Sequence, residues 1–277
     1  MTIITTTIPP PTTPRYRLGA VMRSEWTKMR SVRSTTRTLA LTVALTIGIG
    51  IIATSTEAGR WTHASAATRL TFDPTNLSLT GILFGQIMIG ILGVLVVSAE
   101  YGTGTIRASL AAVPNRRLFL VAKATSFAIV AFLVGEVVSF VAFFGGQSLI
   151  SGGAPHATIT QPDVLGAVIG SGLYLTVLGL LAVGLGLTIR HTAGALAAFV
   201  GILLIVPLLT PAFPASIQNA VSKFEPTTIG NAMTVVTTHL PKGSAPTFSP
   251  WVGLAILGAY AAVALGIGAW SLLRRDA

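Results

Sequence analysis

The run LSLTGILFGQIMIGILGVLVVSA, Leu77–Ala99, contains no charged side chain. A bilayer core of ~30 Å is crossed by ~20 apolar residues in helical form. Because this run meets that length, it predicts a helix that spans a membrane.

Similar apolar stretches recur along the chain, separated by polar connections. They are Thr38–Ser55, Ala124–Ile150, Val164–Ile189, Ala193–Phe213 and Trp251–Leu273. The 277 residues are 52% hydrophobic and 9% charged, whereas soluble domains carry about 25% charged residues. We therefore predict an all-α integral membrane protein with six transmembrane helices. Residues 18–277 are expected to form a single domain after a disordered Thr/Pro-rich tail at 1–17.

The basic residues are distributed unevenly between the two sides of the predicted bundle. Of the 18 lysines and arginines, those on one side are Arg60, Arg69, Lys223 and Lys242. The rest lie before the first span, between spans two and three, between spans four and five, or after span six. The positive-inside rule then places both termini in the cytoplasm. We expect a multi-pass protein of the plasma (inner) membrane. We interpret the charge of +10 as topology and attraction to anionic lipid, with no nucleic-acid partner.

An amphipathic segment precedes the first span. In LGAVMRSEWTKMRSVR, Leu18–Arg33, apolar residues recur at helical steps and basic residues fall largely off that stripe. Trp26 favours the headgroup level. The pattern predicts an interfacial elbow helix in the membrane plane, with a solvated lead-in to span one as the alternative.

Signatures of catalysis and of metal or nucleotide binding are missing from the sequence. Each lysine is followed by a residue that rules out a phosphate-binding loop, and there is no His-Glu-x-x-His and no Gly-x-Ser-x-Gly. The chain has no cysteine, which excludes disulfides and thiolate metal sites. We expect neither enzymatic activity nor a cofactor or metal bound by this chain.

Glu136 is the one clear ionisable residue within the predicted spans. It follows Ala124 by about 18 Å of helix, which places it near the bilayer midplane, where a carboxylate is costly. Ser139 and Gln147 share its helical face, and Gln86 is a further polar group in span two. These four residues are candidates for a substrate path, and hydrogen bonding between helices is the alternative.

The segment between spans two and three carries the most specific local pattern. Glu100 and Tyr101 close span two, and Gly102 and Gly104 allow a sharp turn. Apolar residues then recur at four and three along one face of a short helix: Ile106, Leu110 and Val113. Such a helix can lie along the membrane or dock into a partner, whereas a plain loop needs neither the stripe nor the paired glycines.

Three parts of the sequence resemble permease subunits of ABC-2 type transporters. They are SEWTKMRSVRST (Ser24–Thr35), AEYGTGTIRASLAAVPNRR (Ala99–Arg117) and LLRRDA (Leu272–Ala277). The order and spacing of these parts, with the six spans, extend the resemblance over most of the chain. The middle motif is fairly specific, while the spans are not.

This resemblance implies a pair of permeases driven by two copies of a cytoplasmic ATPase, which would use ATP and Mg²⁺. The second permease would be identical or a paralogue, and substrate export would be more usual than import. The residues that would couple the permease to the ATPase are Glu100, Tyr101, Gly102, Thr103, Gly104, Thr105, Arg107 and Leu110. The short helix they form would be the coupling helix.

Two other classes of protein stay open at this point. A self-sufficient secondary carrier would have more polar groups within its spans, and a membrane-embedded enzyme or structural anchor would need no partner ATPase. The sequence leaves the substrate open. It also leaves open whether the moderately apolar segment 227–240 returns into the membrane.

Overall fold

The computed structural model describes residues 17–150, 153–236 and 247–274. The predicted disordered tail therefore lies outside the described residues except for Arg17. Within the described ranges the chain forms helices and connecting turns, and no strand occurs there. The predicted all-α class is confirmed for this part of the chain.

The helices follow one another in a fixed order along the chain. The chain begins with α1 Leu18–Ser31, α2 Arg33–Arg60, α3 Ala66–Leu70, α4 Pro74–Leu79, α5 Ile82–Gly102, α6 Thr105–Ala112 and α7 Arg116–Leu149. It continues with α8 Val164–Ile189, α9 Thr192–Val200, α10 Val206–Leu209, α11 Ala215–Val221, α12 Pro226–Thr234 and α13 Pro250–Arg274.

Six helical segments are long and apolar enough to cross a membrane. They are Arg33–His63, Pro74–Gly102, Arg116–Leu149, Val164–Ile189, Thr192–Ala212 and Pro250–Arg274. The number of spans agrees with the prediction, but the first three begin earlier than predicted. For span three, the Asn115 side chain caps the helix by accepting from the Leu118 N–H at 3.1 Å. The apolar run that predicted this span misses the two more polar turns that follow the cap.

Helix α8 occupies the centre of the bundle. The most apolar 18-residue segment of α8 is 67% buried, the largest share among the six spans. Helix α8 packs against α5, α7 and α13. Glycines bring these helices close together. A Cβ on Gly93 of α5 would stand 2.5 Å from the Gly179 carbonyl oxygen of α8, so a larger residue would force the helices apart.

The Gly81-x-x-x-Gly85 pattern serves the packing of α5 against α2. A Cβ on Gly81 would lie 1.8 Å from the Thr46 carbonyl oxygen, and one on Gly85 would lie 2.5 Å from Thr46 Oγ1. Both contacts leave no room for a side chain. The pattern is therefore a helix-packing feature in this protein.

Span five is irregular. Helix α9 passes into a π-helical turn at Gly201–Ile205, then α10, and a 3₁₀ turn at Thr210–Ala212. Pro207 and Pro211 lie in this part, and the helix ends there as their missing N–H groups predict. Span five is the least buried of the six, because 17% of its most apolar 18-residue segment is buried.

The connection from span five to span six contains two further short helices, α11 and α12. Helix α12 packs against α8 and α13, with Gly230 against the Tyr174 ring and Met233 against Gly170. A short helix in this region was expected as one outcome for 227–240. Residues 237–240 lie outside the described residues, and the depth of α12 in a membrane stays a prediction.

Candidate coupling site at the basic end of the bundle

One end of the bundle gathers α1, the end of α5, α6, the start of α7 and the end of α13. We call this the basic end. Here α1 turns Val21, Glu25 and Met29 inward, while Trp26 is 48% exposed. Of the predicted apolar stripe, Met29 is thus buried, and Leu18, Trp26 and Val32 face outward. Helix α1 is present where the sequence predicted it, and its place in a membrane plane stays a prediction.

Lys123 of α7 stands at the centre of a buried ion cluster. Its Nζ lies 2.6 Å from Glu25 Oε2 and 2.8 Å from Glu100 Oε1, and its side chain is 3% exposed. It also lies 3.4 Å from the Val96 carbonyl oxygen. The cluster therefore joins α1, α5 and α7 through one ammonium group, over sequence separations of 98 and 23 residues.

Lys28 closes the cluster from the more exposed side and extends it to α6. Its Nζ contacts Glu25 Oε1 at 2.7 Å, Glu100 Oε1 at 3.2 Å and Ser109 Oγ at 2.9 Å. Both ammonium groups also lie over the aromatic ring of Phe119, with Lys28 Nζ 5.6 Å and Lys123 Nζ 5.2 Å from the ring centroid. Four helices thus meet at two carboxylates and two lysines.

The electrostatics of the cluster stabilise its charged forms. Burial acts to raise the pKa of Glu25, but the Lys123 and Lys28 ammonium groups more than offset this, so its pKa lies below the ordinary value of 4.5. Burial acts to lower the pKa of Lys28, but Glu25 and Glu100 more than offset it, so its pKa lies above 10.5. Both groups are therefore charged at neutral pH.

The turn from α5 into α6 depends on one glycine conformation. Gly104 has φ +71° and precedes Thr105, the first residue of α6. This left-handed geometry is open to glycine at little cost. Thr103 steadies the turn, because its Oγ1 donates to the Ala99 carbonyl oxygen at 2.8 Å and lies 2.9 Å from Thr105 Oγ1.

The apolar face of α6 packs on the chain's own bundle. Ile106 is 3% exposed and forms a cluster with Phe119 and Leu272, against which Leu110 and Val113 also pack. The predicted stripe is therefore covered by α7 and α13, because these helices extend to the same level. What α6 leaves exposed is its other face, which includes Arg107.

Two arginines bind the last turn of α13. Arg116 Nη1 donates to the Leu272 carbonyl oxygen at 2.8 Å, and Arg190 Nη2 donates to the Ser271 carbonyl oxygen at 2.7 Å. The final carbonyls of a helix have no intrahelical donor, and the negative end of its dipole favours cations. Arg190 also lies 5.3 Å from the centroid of the Tyr101 ring. Spans two, three, four and six are thereby tied together at the basic end.

The substrate-path candidates of span three differ in their surroundings, and their role in a path stays a prediction. Gln147 donates to the Pro74 carbonyl oxygen at 2.8 Å and to Ser78 Oγ at 2.9 Å, and accepts from the Ala157 N–H at 2.8 Å. Gln147 therefore links α7 to α4 and to the loop that follows α7. Ser139 is fully buried.

Glu136 is half-buried and lies against α8. A Cβ on Gly172 would stand 2.5 Å from Glu136 Oε1. This oxygen is buried, and among the described residues it has no hydrogen-bond partner. Gln86 lies elsewhere, where its Oε1 accepts from the Tyr174 hydroxyl and it lines a cavity at the opposite end.

Sequence reasoning missed Glu25, Lys28 and Lys123 as site residues. One signal was present, since Glu25 is the single acidic residue in the basic segment 15–37. By sequence, both lysines belong to the basic residues that the positive-inside rule places on one side. Their burial depends on carboxylates far away in the chain, which no local pattern reveals.

Comparison with protein families resolves the class of protein. The model of the family described as "ABC-2 family transporter protein" matches residues 20–277. The chain belongs to the ABC-2 transporter family. A comparison with curated proteins finds no match. Together with the six apolar helices, the family identifies a multi-pass membrane protein that acts as a transport permease.

The ABC-2 family assignment disfavours the alternatives drawn from sequence. A self-sufficient carrier and a membrane-embedded enzyme would belong to other families, whereas ABC-2 permeases are the membrane component of a transporter and are not themselves catalytic. The match begins at residue 20 and so includes most of α1. The buried cluster is thus formed entirely by residues within the matched range.

Proposed function

We propose that this chain is the permease subunit of an ABC exporter, and that its basic end faces the cytoplasm and receives a separate ATPase. Two ATPase copies and a second permease, identical or paralogous, would complete the transporter. The observation that carries the proposal is the double-sided placement of α6. One face packs on α7 and α13 through Ile106, and the other presents Arg107 outward.

The buried cluster would make the basic end move as a unit. A force on α6 would reach Lys28 through Ser109, and from Lys28 it would reach Glu100 on α5 and Glu25 on α1. Lys123 then links the same carboxylates to α7. Because charged hydrogen bonds are stiff and short, ATPase closure would shift spans two and three together. This would bias the two six-span halves between inward and outward states.

Glu100 has a defined part in this proposal. Its side chain is 13% exposed and turned into the cluster, so it would transmit force within the permease. Contact with the ATPase would fall to the exposed side chains of Thr103, Thr105 and Arg107. Gly102 ends α5, and Gly104 would set the turn into α6. Tyr101 and Leu110 would support α6 from within. ATP and Mg²⁺ would be bound by the partner alone.

The first experiment is co-purification of the full chain with an ABC ATPase encoded beside it, in mild detergent. We expect a stable complex whose ATPase activity changes when the permease is present. Recovery of the permease without any ATPase, under conditions that preserve its fold, would contradict the proposal.

The second experiment compares two glycines in one turn. Gly104→Ala forces a side chain into φ +71°, whereas Gly102 has ordinary φ and open space around its Cβ position. Strain at such a position costs of order 1–3 kcal/mol. We expect Gly104→Ala to reduce permease-dependent ATPase activity several-fold and Gly102→Ala to leave it unchanged. Equal activity of both variants would reject α6 as the coupling helix.

A further inference from the structure

A cavity of about 980 Å³ lies at the end of the bundle opposite the basic end. The start of α5, the middle of α8, span five and α12 form its walls. Leu79, Ile82, Leu83 and Phe248 supply apolar surface, and Gln86 and Glu225 supply polar groups. Pockets of this size and mixed character accommodate small organic molecules.

Among the described residues, the lining of this cavity has a charge opposite to that of the protein. The chain has a formal charge of +10, yet no lysine, arginine or histidine stands among the described residues that line the cavity. Glu225 is the one acidic residue among them. The described lining is therefore negative in a basic protein, which favours a positively charged occupant, because that lining supplies no basic partner.

Glu225 is held in place but lacks a cation in the part of the chain that the structure describes. It is 6% exposed. Its Oε1 accepts from the Thr210 hydroxyl, and its Oε2 accepts from Thr228 Oγ1 at 3.3 Å. Neutral hydroxyls orient a carboxylate without cancelling its charge. Glu225 also stands at the N-cap of α12, whose dipole compensates a part of that charge.

A second polar group in the same cavity is left unsatisfied. Gln86 is 2% exposed, and its Oε1 is occupied by the Tyr174 hydroxyl. Its Nε2 has no partner among the described residues. A buried amide N–H without an acceptor costs free energy, so an occupant with an oxygen acceptor would be favoured next to it.

We propose that this cavity binds a cationic amphiphile, with its positive group at Glu225 and its apolar body against Leu79, Ile82 and Leu83. The inference rests on the proposed function, since it names the substrate class of the exporter. Gln86 would recognise an oxygen acceptor on molecules that carry one. The cavity then selects by charge at one group and by apolar contact elsewhere.

The test uses two probes that match in shape and differ in the sign of their charge. Tetraphenylphosphonium and tetraphenylborate are titrated calorimetrically into the full chain in uncharged detergent. We expect the cation to bind more tightly than the anion. Glu225→Gln should weaken cation binding about tenfold or more, and Glu225→Asp, which keeps the charge, should retain most of the preference. Glu57→Gln changes an acid paired with Arg60 at 3.2 Å and is the matched control, with unchanged binding expected.

A variant that fills the cavity tests the site independently of Glu225. Leu83 is 50% exposed, so Leu83→Trp should fold and should weaken both probes. If Glu225→Gln does not fold, loss of cation binding in Leu83→Trp supports the site, and retention overturns it. If Glu225→Gln lowers thermal stability and leaves cation binding intact, Glu225 is a helix cap only and the inference is wrong. Equal binding of the two probes also overturns it.

The outcome is separable from that of the proposed function. An ATPase that co-purifies, together with binding that ignores Glu225, would leave the exporter standing and remove this substrate class. Binding that depends on Glu225 without any ATPase partner would keep the cation site and remove the exporter.

Discussion

Helix α7 carries two ionisable residues, Lys123 and Glu136, whose surroundings differ. At Lys123 it meets Glu25 and Glu100, and the two carboxylates are neutralised by two lysines. About 20 Å further along the same helix, Glu136 lies against Gly172 of α8, with no salt bridge in the described part of the chain. The first environment has α1, α5 and α6 to supply partners, whereas the second has only a helix seam lined by glycine. The number of elements that converge on an ionisable group therefore decides how many partners it has in this protein.

Removing Lys123, the lysine at the centre of the cluster, should give the largest loss of stability. In Lys123→Met, two buried carboxylates share Lys28 alone, so we expect the free energy of unfolding to fall by about 3–5 kcal/mol. Denaturant unfolding in detergent measures it. Arg60→Met removes one partner of an exposed pair and should cost less than about 1 kcal/mol. A loss in Lys123→Met no larger than in Arg60→Met would contradict the cluster's importance, and Glu25→Gln combined with Lys123→Met should recover part of the stability.

The pH dependence of stability should report the same cluster. Because the pKa of Glu25 is depressed, its contribution is complete above about pH 4.5 and is lost as the pH falls through the lower pKa of the folded state. Because the pKa of Lys28 is raised, its contribution is complete below about pH 10.5 and is lost above it. We expect thermal stability to be flat between these limits and Glu25→Gln to reduce the acid loss. An unchanged acid limb in Glu25→Gln would assign that loss to other groups.

Glu136 should show the smallest effect on stability. Since it has no described partner to lose, Glu136→Gln is expected to change the free energy of unfolding by less than about 1 kcal/mol. Its role in transport is a separate question. If Glu136→Gln and Glu136→Ala both transport normally in the assembled complex, Glu136 has no part in a substrate path.

The six spans could be predicted from sequence because their signal is local. Apolar runs of sufficient length specify a span wherever they fold, and the prediction of Val164–Ile189 matches α8 at both ends. Helix α7 begins at Arg116 and not at Ala124 because hydropathy cannot distinguish a charged helical turn from a charged loop. The turn at Gly104 and the helix after it were also local, and they lie where the sequence placed them.

The candidate site was only partly predictable for a different reason. Glu100 was found through its position after span two, but its partners Lys28 and Lys123 lie 72 and 23 residues away in the chain, and Glu25 lies 98 residues from Lys123. Their pairing exists only after α1 has folded back on α5 and α7. The partners of Gln147 are distant in the same way, since it donates to the Pro74 carbonyl oxygen and to Ser78 Oγ, and its role in a path stays a prediction. Long-range pairing of polar groups is what the sequence could not show.

The two arginine contacts to α13 have a consequence for biogenesis. Translation delivers Arg116 and Arg190 before the carbonyl groups of Ser271 and Leu272 that accept their hydrogen bonds. A nascent chain with five inserted spans therefore lacks those acceptors, and synthesis of the sixth span provides them. The last helix thus completes the hydrogen bonding at the basic end, and a chain that stops short of Ser271 would lack both of these acceptors.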